Sequence, residues 1–207
     1  MRGFEPGSKL ALIISECQRG VIDKSLTAFK GLAEQVEERA VVANTARLAA
    51  AFRQAGQLVV HAHVAHEPDY ADLPMTNVLV AMTAKAGGMK RGSVDVEPVA
   101  GLVPEAGDLV HARTYSLVAF NGTDLDSLLR HRGITTVVLA GVSSNVAIPG
   151  MAVCASDLGY QVVIPEDCIA GASAETHAFS VQHTLPLFSQ LTHSEDMMKA
   201  LADMTAA

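Results

Sequence analysis

Leu10-Ala11-Leu12-Ile13-Ile14-Ser15-Glu16-Cys17-Gln18 is the stretch on which the fold turns. Its apolar run has the length of one strand and ends in a carboxylate and an amide. Outward from it, short β-branched runs alternate with longer helical patterns, the arrangement expected where parallel strands need helical crossovers. Residues 32–55 carry Val36, Ala40, Ala43, Leu48 and Phe52 at near-helical spacing, and Gly56 suits the stop of this first crossover helix. Strands are expected at 57–62, 108–112, 135–140, 160–164 and 187–192, with helices at 124–132, up to 158, 176–185 and 194–204. The count is six strands, mostly parallel, in one α/β domain over residues 1–207. Residues 63–104 fit no single element and read as a candidate lid, in which 73–85 forms a helix with Val78, Leu79 and Met82 facing inward and Gly87-Gly88 ending it.

Composition narrows the function. A formal net charge of -7 offers no basic field for phosphate backbones, so nucleic acid is not an expected partner. The only cationic group, Lys85, Lys90 and Arg91, reads as a solvated loop, with contact to an anionic ligand as the alternative. No apolar segment is long enough to span a membrane, and the start has no signal-like core. Cys17, Cys154 and Cys168 form no CxxC pair and are expected as free thiols, which suits a cytoplasmic location.

In open parallel sheets ligands gather beyond the carboxyl ends of the strands. Glu16 and Gln18 occupy that position after the first strand, where a carboxylate suits proton transfer; a structural hydrogen bond is the competing reading for Glu16. Arg113 ends the strand after the lid, and its guanidinium is expected to hold Glu16, clamp a substrate carboxylate, or form a plain ion pair. The turn Val142, Ser143, Ser144, Asn145, Val146, Ala147 leads from a strand into a helix, whose free N–H groups can receive a carboxylate or a developing oxyanion. Ser144, Asn145 or Ile148 is the expected cap, and Pro149 fits the first helical turn.

Three stretches, 10–18, Phe120-Asn121-Gly122-Thr123-Asp124-Leu125 and 141–147, resemble the signature regions of the isochorismatase-like superfamily in the expected order. Gly159-Tyr160-Gln161-Val162 and Glu166-Asp167-Cys168-Ile169-Ala170-Gly171 extend the likeness over nearly the whole chain. The resemblance implies a three-layer α/β sandwich, a homodimer or homotetramer, and a small-molecule substrate, with Phe120 among the substrate-binding residues. It also implies an Asp after the first strand, a Lys after the middle strand and a Cys at the turn; this chain has Glu16, Arg113 and Ala147 there. Glu keeps a proton to move, Arg keeps a charge but does not surrender its proton, and Ala147 cannot form a covalent bond.

Other nucleophiles are poorly placed in the sequence. Cys154 lies about two turns along the helix, ~10 Å away, Cys17 points to the opposite face from Glu16, and Ser143 and Ser144 have no evident base partner. His61, His63 and His66 invite comparison with the metal ligands of nicotinamidase-like relatives, but Val64 stands where their Asp is expected, so these histidines read as core or substrate contacts. No metal and no cofactor is expected; the glycine pattern of a dinucleotide site is missing after the first strand. The leading expectation is a hydrolase acting on a small anionic metabolite by non-covalent acid/base chemistry, cleaving a vinyl ether or C–N bond. The alternative is an inactive family member that binds a ligand or forms an oligomer.

Overall fold

The computed structural model describes residues 1–206. β1 (Leu10–Ser15) is buried at every position and lies inside a parallel sheet, so its alternation divides the core into two layers. Leu10, Leu12 and Ile14 face one side, with Leu48 and Phe52, while Ala11 and Ile13 face the other, with Leu125, Leu129 and Met151. Phe52 is fully buried, and truncating a core aromatic of this kind costs about 3–5 kcal/mol.

The elements follow as α1 (Arg19–Ile22), α2 (Lys30–Glu38), α3 (Val41–Gln54), β2 (Leu58–Val64), α4 (Val78–Ala86), β3 (Leu109–Arg113), α5 (Leu125–His131) and β4 (Thr136–Val142). After them come α6 (Ala147–Asp157), β5 (Gln161–Pro165), β6 (Ile169–Ala170), α7 (Ala174–Phe179), β7 (Gln190–Thr192) and α8 (Ser194–Ala206). The sheet order is β3-β2-β1-β4-β5-β7, every pairing is parallel, and β6 joins the end of β4. Residues of α2, α3 and α8 fill one core layer and residues of α5 and α6 the other, giving the three-layer sandwich.

The sheet has seven strands, not the six expected. The added strand, β6, is only two residues long and exists because Ile169 and Ala170 pair with Gly141 and Val142, a partnership without a local sequence signature. The single helix expected over 32–55 is two, because Ala40 adopts a left-handed conformation (φ 53°) between α2 and α3. Arg39 and Asn44 hold that break by donating to the carbonyls of Glu166, Asp167 and Ile169. The helix expected at 176–185 stops as an α-helix at Phe179 and continues as a π-helical turn over Ser180–Thr184 and a 3-10 turn over Leu185–Leu187. β7 is correspondingly short.

Chain order decides where a ligand can enter. The chain lays down β1, β2 and β3 outward in one direction and then returns to place β4 on the other flank of β1. The strand order therefore reverses between β1 and β4, and a crevice opens past their carboxyl ends. There Ser15 pairs with Gly141, and the backbones approach so closely that a Cβ on Gly141 would lie 2.2 Å from the Ser15 carbonyl oxygen. Gly141 also has a φ of +93°, which a side chain disfavours. Substituting Gly141→Ala is expected to destabilise the protein by more than about 3 kcal/mol or to abolish soluble folding. Gly56→Ala, at φ +66° with open space around it, is expected to cost only about 1–2 kcal/mol. Urea denaturation of the two variants checks the contrast.

Candidate active site

At the end of β1 the Glu16 N–H still donates to the Ala62 carbonyl at 3.0 Å, continuing the ladder for one more residue. Glu16 then turns left-handed (φ 50°), a conformation that non-glycine residues hold at a cost and that concentrates at functional sites. Arg113, the last residue of β3, is buried and reaches beneath the end of β2. Its Nη2 donates to Glu16 Oε1, its Nε donates to the Ser116 carbonyl at 2.8 Å, and its Nη1 donates to the His63 carbonyl at 3.2 Å. All three guanidinium nitrogens are thus engaged by protein acceptors. Of the roles open to Arg113 in the sequence, the geometry selects the partner of Glu16, and Arg113 does not form part of the cavity wall described next.

That cavity, about 390 Å³, lies in the crevice past β1 and β4. Glu16, His66, Ser143 and Asn145 supply polar wall, and Phe29, Leu32, Leu79, Val80, Met89, Val142, Val146 and Ala147 supply apolar wall. The Val142–Ser143 peptide is cis. The backbone N–H groups of Ser143, Asn145 and Ala147 have no hydrogen-bond acceptor among the described residues, which leaves donors at the start of α6 for an anionic or developing anionic group. The N-cap of α6 is Val146 with no side-chain cap, so none of Ser144, Asn145 and Ile148 fills that place.

Gln18, Ser144 and Phe120, all expected at the substrate, lie outside the wall. Gln18 is fully buried; its amide donates to the carbonyls of Val64 (2.9 Å) and Val96 (2.8 Å) and accepts from the Val64 N–H (2.8 Å), tying β1 to β2 and the lid. Phe120 is core, packed near Tyr160 with ring centroids 6.2 Å apart. Ser144 is fully buried and has the partner that the sequence did not reveal: its Oγ lies 3.0 Å from His177 Nδ1. The Ser144 N–H donates to Ala170 at 2.7 Å, and Asn145 Oδ1 accepts from Ala172 at 3.0 Å, so the turn is stitched to the loop entering α7. The two members of the Ser144–His177 pair are 33 residues apart, and only folding brings them together.

The lid departs from its expected form. α4 begins at Val78, capped by the Asn77 side chain accepting from Val80, and it has no fully buried residue. Val78 and Met82 face solvent, at 73% and 44% exposure, while Leu79, Val80 and Thr83 line the cavity. Lys90 lies over the Tyr70 ring and Arg91 pairs with Glu67, so neither reaches the cavity.

The histidines diverge. His61 Nε2 meets Asp108 Oδ2 at 3.0 Å, with Arg53 beside it, and His63 stands edge-on to His61 with ring centroids 5.8 Å apart. Only His66 lines the cavity. Among the described residues no three His, Cys, Asp or Glu side chains gather as metal ligands, so the donor set does not fit a resident metal. Cys17 and Cys168 are buried thiols pushed up to about 12 by burial, and no cysteine lines the cavity among the described residues. No described helix is long and apolar enough to cross a membrane.

Residues 10–196 match the family profile described as Isochorismatase domain, and the chain belongs to the isochorismatase-like hydrolase superfamily. It is 33% identical to the uncharacterized isochorismatase family protein YecD of Escherichia coli O157:H7 over 92% of this chain and 95% of that one. It is 29% identical to maleamate amidohydrolase of Pseudomonas putida, over 94% of this chain and 88% of that one. An isochorismatase family protein from Desulfovibrio vulgaris superposes with a TM-score of 0.81 at 27% identity, covering 95% of this chain and all of the other.

Burial holds His63 and His177 down at about 4, His63 further through its neighbours His61 and Arg113, His177 through Arg39. Both rings are therefore neutral in the fold, whereas an unfolded histidine binds its proton near pH ~6.5. The unfolded chain binds more protons across that interval, so stability is complete above about pH 6.5 and falls as pH drops toward 4. Urea unfolding at pH 7.5, 5.5 and 4.5 is expected to show this decline, with a shallower slope for His177→Gln.

Proposed function

We propose that the chain hydrolyses a C–N or vinyl ether bond of a small metabolite without a covalent enzyme intermediate, with Glu16 moving the proton. The observation that carries this reading is the Glu16 carboxylate in the cavity wall, fixed through one oxygen by Arg113, in the same wall as the residues whose N–H groups stand free at the start of α6. In amide cleavage Glu16 takes a proton from water, and the water oxygen attacks the carbonyl carbon. The carbonyl oxygen gains negative charge and is received by the N–H groups of Ser143, Asn145 and Ala147. Glu16 then returns the proton to the departing nitrogen. In vinyl ether cleavage Glu16 instead protonates the substrate carbon first and water completes the reaction.

Arg113 acts through Glu16 and is a positioning residue. With its fork engaged, an anionic substrate would rest on the free N–H groups and not on Arg113. The amidohydrolase named among the relatives favours the C–N variant. A second reading, an inactive ligand-binding or oligomer-forming member, is favoured by one observation: Ala147 presents a methyl group at the start of α6 and no thiol stands in the wall among the described residues.

A screen over isochorismate, N-carbamoyl compounds, nicotinamide and simple amides supplies the assay. Glu16→Gln is expected to lower kcat/KM by about 10²–10⁴-fold and also to lower the melting temperature, since it leaves the buried Arg113 charge uncompensated, so the assay is run where circular dichroism shows the variant still folded. Arg113→Lys is expected to lower kcat more than it raises KM, since it disturbs the carboxylate and not the substrate contact. Equal turnover by Glu16→Gln and the parent chain would refute the role of Glu16, and no turnover by the parent on any class would favour the second reading.

A further inference from the structure

The cavity carries a polar group that the proposed chemistry leaves unused. His66 is buried and its backbone is pinned on both sides, its N–H donating to Met89 and its carbonyl accepting from Arg91, each at 2.8 Å. Nδ1 lies 2.5 Å from the Thr114 carbonyl oxygen, and Asp72 Oδ2 is 4.0 Å away on the same side. A carbonyl oxygen only accepts, so Nδ1 carries the proton and, in the neutral ring, Nε2 is left as an acceptor. Nε2 has no partner among the described residues, yet it is not one of the buried unpartnered atoms. Nε2 therefore keeps some accessible surface on a ring that lines the cavity.

Apart from the N–H groups of Ser143, Asn145 and Ala147, which can receive a carbonyl oxygen, the wall offers little to a charged ligand. Lys30 is the one cationic side chain among the wall residues, and it is exposed at the rim with Nζ donating to the Lys24 carbonyl at 2.6 Å. Arg113 is spent below the wall, and Glu16 contributes negative charge. The face under α2 and α4 is apolar, through Phe29, Leu32, Leu79 and Val80. Burying a carboxylate there without a cation costs several kcal/mol, whereas an uncharged chain gains from burial.

We propose that the cavity selects an uncharged small molecule with an apolar tail and an N–H or O–H donor, and that His66 Nε2 is the specificity residue that accepts from that donor. The inference rests on the hydrolase reading only for calling this molecule the substrate; as a statement about binding it stands alone. The tail packs under the lid helix α4, and the donor group lies at the mouth of the sheet between His66 and Glu16.

Equilibrium binding tests it without requiring turnover. Isothermal titration calorimetry at pH 8 compares pentanamide, N,N-dimethylpentanamide and pentanoate on the full chain. Pentanamide is expected to bind at least about tenfold more tightly than pentanoate and about tenfold more tightly than the dimethyl amide, which lacks the donor. In His66→Leu the ratio between the two amides is expected to collapse toward one, with His66→Gln restoring part of it. Tighter binding of pentanoate, no binding of any of the three, or equal weakening of both amides by His66→Leu overturns the proposal. Selective amide binding with no hydrolysis in the screen upholds it while the hydrolase reading fails.

Discussion

The pairing of β1 with β4 is the constraint on which the rest depends. Between Ser15 and Gly141 the two backbones come closer than any side chain permits, and this contact brings the ends of both strands to one place. One residue later the first strand delivers Glu16; two residues later the other enters the cis Val142–Ser143 peptide and the turn into α6. Because the chain has built outward to β3 before returning to β4, no crossover helix fills the gap beyond these ends. The cavity is a consequence of strand order, and the carboxylate and free N–H groups in its wall are consequences of where two strands stop.

The Glu16–Arg113 pair is costly to assemble, since both groups leave water, and their attraction offsets that cost only with good geometry and further hydrogen bonds. Here the remaining guanidinium nitrogens donate to the Ser116 and His63 carbonyls, and the pair also welds the ends of β1, β2 and β3 together. The same bonds remove Arg113 from the ligand. A positive charge that the sequence offers to a substrate is spent inside the protein, and the cavity is left with Glu16, His66 and the polar groups at the start of α6 among largely apolar walls.

Parallel strands with helical crossovers were legible because β1 is apolar from Leu10 to Ile14 and followed by a segment of helical period, and Glu16 was legible because it follows that run. Ala147 was legible as a departure from the superfamily pattern. Gln18 shows the limit of position alone: it follows the same strand two residues after Glu16, but its amide has the reach to satisfy Val64 and Val96, and it turns inward. Ser144 shows the same limit, since the His177 that engages it lies on another helix. In α4 the apolar periodicity misled, because a short lid helix over a cavity has no core to bury against.

The sequence by itself determined the layered α/β class, the strand-end acid and the absence of a thiol at the turn, because each rests on local pattern or on the identity of one residue. The tertiary structure alone decided what each polar group faces: Arg113 onto Glu16, Gln18 onto backbone, Ser144 onto His177, and His66 Nδ1 onto the Thr114 carbonyl. The physical reason is that a buried polar group must find a partner wherever the fold provides one. Those partners come from strands and loops tens of residues away, set by a topology that no local pattern encodes.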